Sequence, residues 1–235
     1  MNYVVIFAGG VGQRMGSSIP KQFLMVNNKP IIVHTIEKFN NHSEIDGIVV
    51  VCKEEYIGQC KQYIIDYALN KVISIIPGGN NGQQSIYNGV KYLSENISKD
   101  NSDIVLIHDG VRPVINDELI SKSISTTQKN GNSIAVSRAI ETVIKVDDNG
   151  QIVETVDRDR CRNAKAPQCF VLSELWKIHK KAIEDGVTNM VDSASLMSFY
   201  GYELYTTECS QENIKVTTPN DYYMLVGMLG EREDI

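Results

Sequence analysis

The stretch Phe-Ala-Gly-Gly-Val-Gly-Gln-Arg-Met-Gly, residues 7–16, follows directly on the apolar run Tyr3–Phe7, which has the length and composition of a buried strand. Pro20-Lys21-Gln22 stands just behind it. Glycines let a backbone approach an anion and turn its N–H groups inward. Arg14 adds a planar bidentate cation and Lys21 a point charge. The composition predicts a polyphosphate-binding turn between a strand and a helix, although glycine alone would also fit an ordinary turn.

Two common phosphate-binding loops do not fit this stretch. The dinucleotide fingerprint G-x-G-x-x-G needs a third glycine where Met15 stands. A P-loop needs glycine, lysine and then serine or threonine in direct succession, and these residues do not supply that triplet. The turn therefore belongs to another kind of phosphate site.

Length and composition limit the classes of protein. A chain of 235 residues, 42% of them hydrophobic, can bury one large core, so we expect a single domain over residues 1–235. The net charge of −6 argues against nucleic acid or a membrane as partner. Five cysteines without a Cys-x-x-Cys pair indicate reduced thiols. The chain starts directly with a strand and has no apolar run of about 20 residues, so we expect a cytoplasmic protein.

Strand-like and helix-like segments alternate through the first two thirds of the chain. Because the strands are apolar throughout, the alternation predicts a parallel sheet covered by helices on both faces. The predicted strands after the first are Ile48–Cys52, Val72–Ile76, Ile104–Ile107 and Ser133–Ser137, and the predicted helices are Pro30–Asn40, Glu54–Leu69, a helix from Ser85, and Asp117–Asn130.

Three loops follow predicted strand ends, at residues 9–21, 78–85 and 108–113. Ligands of such folds bind beyond the carboxyl ends of the strands, so we expect one ligand to contact all three loops. Asp109 ends an otherwise apolar strand, where a carboxylate facing phosphate most often binds a metal. A helix cap or an ion pair with Arg112 is the alternative.

The alternation breaks at residues 141–156, which read as a β-hairpin with its turn at residues 147–150. A lone hairpin is marginal in water, so it either bridges two subunits or lies on its own domain. Helices are predicted at Ser173–Asp185, at Asp192–Tyr200 and after Thr218, and edge strands at Tyr202–Thr207 and Ile214–Val216. By composition alone, Lys215, Arg158 and Arg160 would be ordinary surface charges.

Several motifs stand in register along nearly the whole chain: residues 7–16, Pro20-Lys21-Gln22, Gly78-Gly79 with Ser85, His108-Asp109 with Val111-Arg112-Pro113, Pro167-Gln168 with Phe170, residues 192–195 and residues 213–217. In this order they resemble the cytidylyltransferases that activate small polyol phosphates, the family of 2-C-methyl-D-erythritol 4-phosphate cytidylyltransferase and D-ribitol-5-phosphate cytidylyltransferase. The resemblance implies a three-layer, Rossmann-like α/β fold of the nucleotide-diphospho-sugar transferase type, with a mostly parallel sheet and a β-hairpin arm at about 138–162.

The resemblance also implies a role for each matching residue. The catalytic set would be Arg14, Lys21, Asp109 and Lys215, with Asp109 holding Mg²⁺. The acceptor would contact Asp109, Arg112, Thr142, Arg158 and Lys215, and the arm would make a homodimer by reaching a neighbouring site. CTP would be bound by Phe7, Ala8, Gly9, Gly10, Gly12, Arg14, Lys21, Gly79, Asn80 and Ser85.

Three positions depart from the family pattern. Gly82 replaces an arginine common near the base, Ala166 replaces a threonine before Pro-Gln, and Gly110 stands where alanine is usual. The segment Lys29–Phe39 is closer to the ribitol branch, whereas residues 192–195 are closer to the methylerythritol branch. The sequence therefore predicts CMP transfer from CTP to one of these two acceptors, with ribitol 5-phosphate slightly preferred. A nucleotidyltransferase using another nucleotide or a sugar 1-phosphate, and a nucleotide-binding regulator without turnover, are the alternatives.

Overall fold

A computed structural model describes residues 1–9 and 19–230 of the chain. The helices of this part are α1 (Ile31–Asn40), α2 (Ile57–Asp66), α3 (Gly82–Asn96), α4 (Asp117–Asn130), α5 (Leu172–Glu184), α6 (Ser193–Phe199) and α7 (Pro219–Leu229). Its strands are β1 (Asn2–Ala8), β2 (Met25–Val26), β3 (Lys29–Pro30), β4 (Gly47–Cys52), β5 (Val72–Pro77), β6 (Ile104–Asp109), β7 (Asn132–Arg138), β8 (Ile144–Val146), β9 (Ile152–Thr155), β10 (Arg162–Val171) and β11 (Thr206–Glu208).

A seven-stranded sheet forms the centre, in the order β11-β7-β10-β6-β1-β4-β5. Strands β1, β4, β5 and β6 pair in parallel, and β11 is parallel to β7. Only β10 is antiparallel to its neighbours β6 and β7 within this sheet. The mostly parallel sheet predicted from the sequence is confirmed.

Helices cover both faces of the sheet, which gives the predicted three layers. Alternate residues of β1 supply the two cores, because successive side chains of a strand point to opposite faces. Val4 and Ile6 pack with α1, α2 and α4, whereas Tyr3 and Val5 pack with α3, α5 and α6. All four side chains are buried, so β1 lies at the middle of the molecule.

Most predicted elements are found within one or two residues of their predicted bounds. The predicted helix over residues 54–69 begins with a single 3₁₀ turn, Glu54–Tyr56, before α2. The last helix, α7, starts as its sequence indicates. Thr218 and Asp221 form a capping box there, and Pro219 occupies the first turn.

Several differences concern strands: the short strands β2 and β3 were not predicted, and β11 covers Thr206–Glu208 instead of the predicted Tyr202–Thr207. The ten-residue strand β10 was not predicted, because Pro167 stands inside it and proline is normally excluded from central strands. Its register with β7 shifts between Ala164 and Gln168, around that proline. The predicted edge strand Ile214–Val216 is wrong. That segment is a loop, joined to residue 111 by a hydrogen bond from Val216 N to Val111 O at 2.9 Å.

The predicted hairpin is present as β8 and β9, which form a separate two-stranded sheet. Lys145 and Glu154 pair across it at 2.7 Å. Its apolar side chains Ile144, Val146, Ile152 and Val153 are exposed. We call residues 138–162 the arm. None of the helices described is long and apolar enough to cross a membrane.

Candidate active site

Two joined cavities lie beyond the carboxyl ends of the parallel strands. The larger, of about 570 Å³, extends from the end of β1 to the loop after β5 and contains three lysines, Lys21, Lys53 and Lys215. The smaller, of about 270 Å³, extends from Arg112 towards β10 and residue 192. Phe7, Gly82, Asp109 and Lys215 line both cavities. Asp109 and Lys215 therefore stand at the junction.

Asp109 is the central charge of the site. Its Oδ1 accepts a hydrogen bond from Lys215 Nζ at 2.5 Å, and its Oδ2 accepts one from Arg112 Nε at 2.8 Å. Burial by itself would raise the pKa of the Asp109 carboxyl, but the charges of Lys215 and Arg112 outweigh burial and hold that pKa at about 2. Asp109 is therefore ionised at neutral pH.

The loop at residues 213–216 brings Lys215 to this carboxylate. Arg112 Nη1 donates to the carbonyl oxygen of Asn213 at 2.9 Å. Together with the bond from Val216 to Val111, this contact fixes the loop against the end of β6. Lys215 Nζ also lies 6.0 Å from the ring centre of Phe7, within cation–π range.

His108 precedes Asp109 but supports the structure instead of facing a ligand. The imidazole is fully buried, packs edge-on against Phe39, and bonds through Nε2 to the carbonyl oxygen of Arg112 at 3.1 Å. Burial lowers the pKa of His108 to about 4, so the ring is neutral at pH 7.

Ser85 lies on the wall of the larger cavity that is formed by the loop after β5 and the start of α3. Its hydroxyl accepts a hydrogen bond from Gly79 N at 3.1 Å and donates to the Asn81 carbonyl at 2.9 Å. A Cβ atom at Gly9 would lie only 3.2 Å from this hydroxyl. The glycine after β1 therefore allows the first turn of α3 to approach the end of β1.

The start of α3 is tied to the segment between α5 and α6. Asn81 caps the helix by accepting from Gln84 N at 2.8 Å, and its Nδ2 donates to the Thr188 carbonyl. Gln83 bonds to the backbone of both Val187 and Met190. The amide side chains beside Gly82 are thus used in holding this wall together.

Lys21 and Gln22 begin a short 3₁₀ turn, Lys21–Phe23, and both side chains are buried. Gln22 Nε2 donates to the carbonyl oxygen of Ala8 at 2.8 Å. This bond fixes the turn against the end of β1, and so places Lys21 on the wall of the larger cavity. The sequence had suggested no individual role for Gln22.

The structure brings most of the predicted site residues together. Arg112 lines the smaller cavity. Gly10, Gly12 and Arg14 lie outside the described residues. The predicted residues that line the larger cavity are Phe7, Ala8, Gly9, Lys21, Gly79, Asn80, Ser85, Asp109 and Lys215.

Thr142 and Arg158 are not brought to this site within one protomer. Both are exposed on the arm, and neither is among the residues lining the two cavities. Arg158 Nη1 instead donates to the Ile140 carbonyl at 3.3 Å.

The departures from the family pattern have visible consequences. A Cβ at Gly82 would meet no atom of the described residues within 4 Å, so these residues leave open space where an arginine is common. A Cβ at Gly110 would lie 3.0 Å from Ala8 Cβ, which is a tight contact. Ala166 leaves the smaller cavity without a hydroxyl at that position, while its carbonyl accepts from Asn213 Nδ2 at 2.6 Å.

Sequence reasoning gave no individual role to several polar residues that line the cavities. Lys53 directly follows β4, so the strand-end argument that singled out Asp109 could have found it. Lys165 and Gln168 lie on the strand that was not predicted. Gln168 Nε2 donates to Asp192 Oδ2 at 2.8 Å, which joins β10 to the start of α6.

The residues fit a magnesium ion held mainly by substrate. Asp109 is the one carboxylate among the described residues lining the larger cavity, and within residues 1–9 and 19–230 no group of three His, Cys, Asp or Glu could hold a metal. Each Asp109 oxygen accepts one bond and keeps acceptor capacity. Mg²⁺ is often bound by one or two carboxylates plus substrate phosphates, which suits this donor set.

The chain is similar to named cytidylyltransferases over all or nearly all of its length. A ribitol-5-phosphate cytidylyltransferase of Streptococcus agalactiae serotype Ia is 46% identical over 235 residues, covering 100% of this chain and 98% of that protein. A 2-C-methyl-D-erythritol 4-phosphate cytidylyltransferase of Clostridium botulinum, strain Loch Maree, is 37% identical over 220 residues, covering 94% and 93%.

A solved structure and a family model agree with these relatives. The crystal structure of 4-diphosphocytidyl-2C-methyl-D-erythritol synthase from Anaerococcus prevotii has a TM-score of 0.83 at 25% identity, covering 97% of this chain and 95% of that one. The model of the family IspD, 2-C-methyl-D-erythritol 4-phosphate cytidylyltransferase, matches residues 2–230. The motif order, the three-layer sheet and the full-length match together place this chain in the IspD family of cytidylyltransferases.

Proposed function

We propose that this protein transfers CMP from CTP to a polyol phosphate. The observation that carries the proposal is the position of Asp109 and Lys215 at the junction of two cavities. The larger cavity has three lysines and one carboxylate among its described lining residues, an excess of positive charge that suits a triphosphate. The smaller cavity opens on the other side of the junction and suits the acceptor.

The reaction is an in-line displacement at phosphorus. An oxygen of the acceptor's phosphate forms a bond to the α-phosphorus of CTP, while the bond from that phosphorus to the bridging oxygen of the β-phosphate breaks and pyrophosphate leaves. A phosphomonoester carries about −1.5 to −2 charge at pH 7, so it needs no general base. Asp109, with a pKa of about 2, would be a poor base in any case.

The remaining difficulty is to bring two anions together, which requires positioning and cations. Lys21 lines the larger cavity, which we call the nucleotide cavity, and Lys215 stands at the junction where the two anions would meet. Asp109 holds Lys215 and Arg112 in place through both carboxylate oxygens. The family pattern gives Arg14 a similar charge-stabilising role at the α-phosphate.

Magnesium would be held by Asp109 and the nucleotide's phosphates, and when bound it supplies charge neutralisation at the triphosphate. Lys53 and Lys21 add fixed positive charge to the same cavity.

We propose ribitol 5-phosphate as the acceptor. Support comes from the relatives, since the ribitol-5-phosphate enzyme is 46% identical and the methylerythritol enzyme 37%. The test is pyrophosphate release from CTP with each acceptor in turn, together with detection of the CDP-polyol. We expect a much higher kcat/KM with ribitol 5-phosphate. Preference for 2-C-methyl-D-erythritol 4-phosphate would reverse the assignment, and turnover with UTP or GTP but not CTP would contradict the function itself.

We also propose a homodimer formed through the arm. The arm exposes Ile144, Val146, Ile152 and Val153, which a partner subunit would cover. It also carries Thr142 and Arg158, which the family pattern assigns to the acceptor. The five thiols, all free, suit the reducing cytoplasm, where we place the enzyme.

A further inference from the structure

Lys165 is a partly buried lysine of β10 that lines the smaller cavity. Its Nζ donates to the carbonyl oxygens of Gln211 at 3.1 Å and Asn213 at 3.2 Å. An ammonium group has three donors, and two bonds are accounted for in this way. One N–H therefore remains for a ligand in the cavity.

The charge of Lys165 has no counter-ion among the described residues. No carboxylate of residues 1–9 and 19–230 lies within 4 Å of its Nζ, whereas Lys29, Lys145 and Lys215 each pair with one. Burial lowers the pKa of Lys165. The neighbouring Cys209 does not balance it, since burial raises the pKa of that thiol. A partly desolvated cation without a partner is costly, and an anionic ligand would offset that cost.

Arg112 places a second cation beside Lys165. Arg112 Nη1 and Lys165 Nζ donate to the same oxygen, that of Asn213, at 2.9 Å and 3.2 Å. The two like charges are thus held close together, and Arg112 further lowers the pKa of Lys165. Such an arrangement is stable when an anion lies against both groups.

The carboxylates lining the smaller cavity are already engaged elsewhere. Asp109 is paired with Lys215 and Arg112. Asp192 accepts from Gln168 Nε2 and from Ser195 N, each at 2.8 Å. The smaller cavity therefore has three cations, Arg112, Lys165 and Lys215, against the two carboxylates, and Lys165 is the cation without an ion pair among the described residues.

We propose that Lys165 is an acceptor-positioning residue that binds the acceptor's phosphate together with Arg112. This assignment rests on the proposed function. The phosphate would lie between Lys215 at the junction and Lys165 on the β10 side, so that one of its oxygens faces the nucleotide cavity. These contacts would come from one protomer, in addition to the acceptor contact that the family pattern assigns to Arg158 of the arm.

The test compares Lys165→Met and Lys165→Arg with the wild-type enzyme. For Lys165→Met we expect the KM for the polyol phosphate to rise about 10- to 100-fold, because one charge-assisted hydrogen bond is lost. The KM for CTP should be unchanged. Inhibition by inorganic phosphate, which would compete with the acceptor, should weaken by a similar factor. Lys165→Arg keeps the charge and should recover most of both losses.

The matched control is Lys71→Met. It also removes a partly buried lysine, which lies just before β5 and donates to the backbone carbonyl of His42. It should leave both acceptor KM and phosphate inhibition unchanged. Lys165→Gln keeps a donor for the carbonyls but removes the charge, and it should show the losses expected of Lys165→Met. It replaces Lys165→Met in the test if that variant folds poorly. Unchanged acceptor KM and phosphate inhibition in both neutral variants would overturn the role of Lys165. A wild-type enzyme that transfers CMP to no polyol phosphate would instead overturn the proposed function.

Discussion

Asp109 holds two cations at once, Lys215 through Oδ1 and Arg112 through Oδ2. The ion pair with Arg112 was the structural alternative to a catalytic role, and the structure contains that pair. The same pair places Arg112 on the smaller cavity, so the ion pair and the proposed role in acceptor binding belong to one arrangement. Lys21 differs, because it is buried on a separate turn and faces the nucleotide cavity.

Replacing Lys21 with alanine tests its part in the transition state. We expect kcat to fall by about 100-fold or more, while CTP binding weakens by less than about 10-fold, because charge on the α-phosphate is greatest in the transition state. Steady-state kinetics and CTP titration give the two quantities. Lys53→Ala is the control, since it removes a more exposed lysine from the same cavity and should change mainly the KM for CTP. Equal losses of kcat and CTP affinity in Lys21→Ala would contradict the role.

At the scale of elements, the site depends on short segments fixed to strand ends by single polar contacts. Ser85 ties α3 to the loop after β5, and Gln22 ties the 3₁₀ turn of residues 21–23 to the end of β1. Helix α5 packs against α3 through Tyr87, Trp176 and His179. The geometry of the nucleotide cavity therefore depends on these few contacts.

Gln22→Met should uncouple the 3₁₀ turn from β1. The substitution keeps the side-chain length but leaves the buried Ala8 carbonyl without this donor, which costs about 1–3 kcal/mol of stability. Because the turn positions Lys21, we expect kcat to fall about 10-fold at a temperature where the variant is folded. Gln59→Met, which removes an exposed amide bonded to Tyr63, is the control and should change neither quantity. A variant as active as the wild type would show that the turn is positioned by other contacts.

His179→Leu should reduce the loss of stability in mild acid. Burial lowers the pKa of His179 to about 4, from the usual histidine value of about 6.5. Between these values the unfolded chain binds a proton that the folded chain does not, so the free energy of unfolding falls as the pH decreases, by about 1.36 kcal/mol per pH unit for one group. Denaturant unfolding at pH 7, 6 and 5 should show a shallower decline in the variant. His108, also with a pKa lowered to about 4, accounts for part of the decline that remains.

At the scale of the whole molecule, the arm is the feature that one protomer leaves unexplained. Thr142 and Arg158 lie on it, exposed and apart from the two cavities. If the proposed dimer exists, each site contains Lys21 of one subunit and Arg158 of the other.

Mixing two variants of low activity tests this arrangement. In a mixed dimer of Lys21→Ala and Arg158→Ala, one site would have both intact residues, so random mixing should restore about a quarter of wild-type activity at low acceptor concentration. Each variant alone should be weakly active under these conditions. No recovery after subunit exchange would mean that the arm serves its own site or none.

Ile152→Glu tests whether the recovery of activity requires the dimer. A charge on this exposed apolar side chain should weaken the dimer in sedimentation or light scattering and abolish the recovery. Ile65→Glu places the same charge on an exposed isoleucine of α2 and should do neither.

The sequence by itself determined the α/β alternation, the hairpin, the three loops at strand ends and the place of Asp109 at the end of an apolar strand. These follow from local apolar periodicity, turn residues and the rule that parallel strands gather their carboxyl ends at one edge. Only the tertiary structure decided that β10 enters the sheet antiparallel despite Pro167, that Gln22 anchors the turn carrying Lys21, and that Lys165 and Arg112 share the Asn213 carbonyl. Each of these depends on a contact between segments distant in the chain or on a packing environment that overrides a local preference, and no local pattern encodes such pairings.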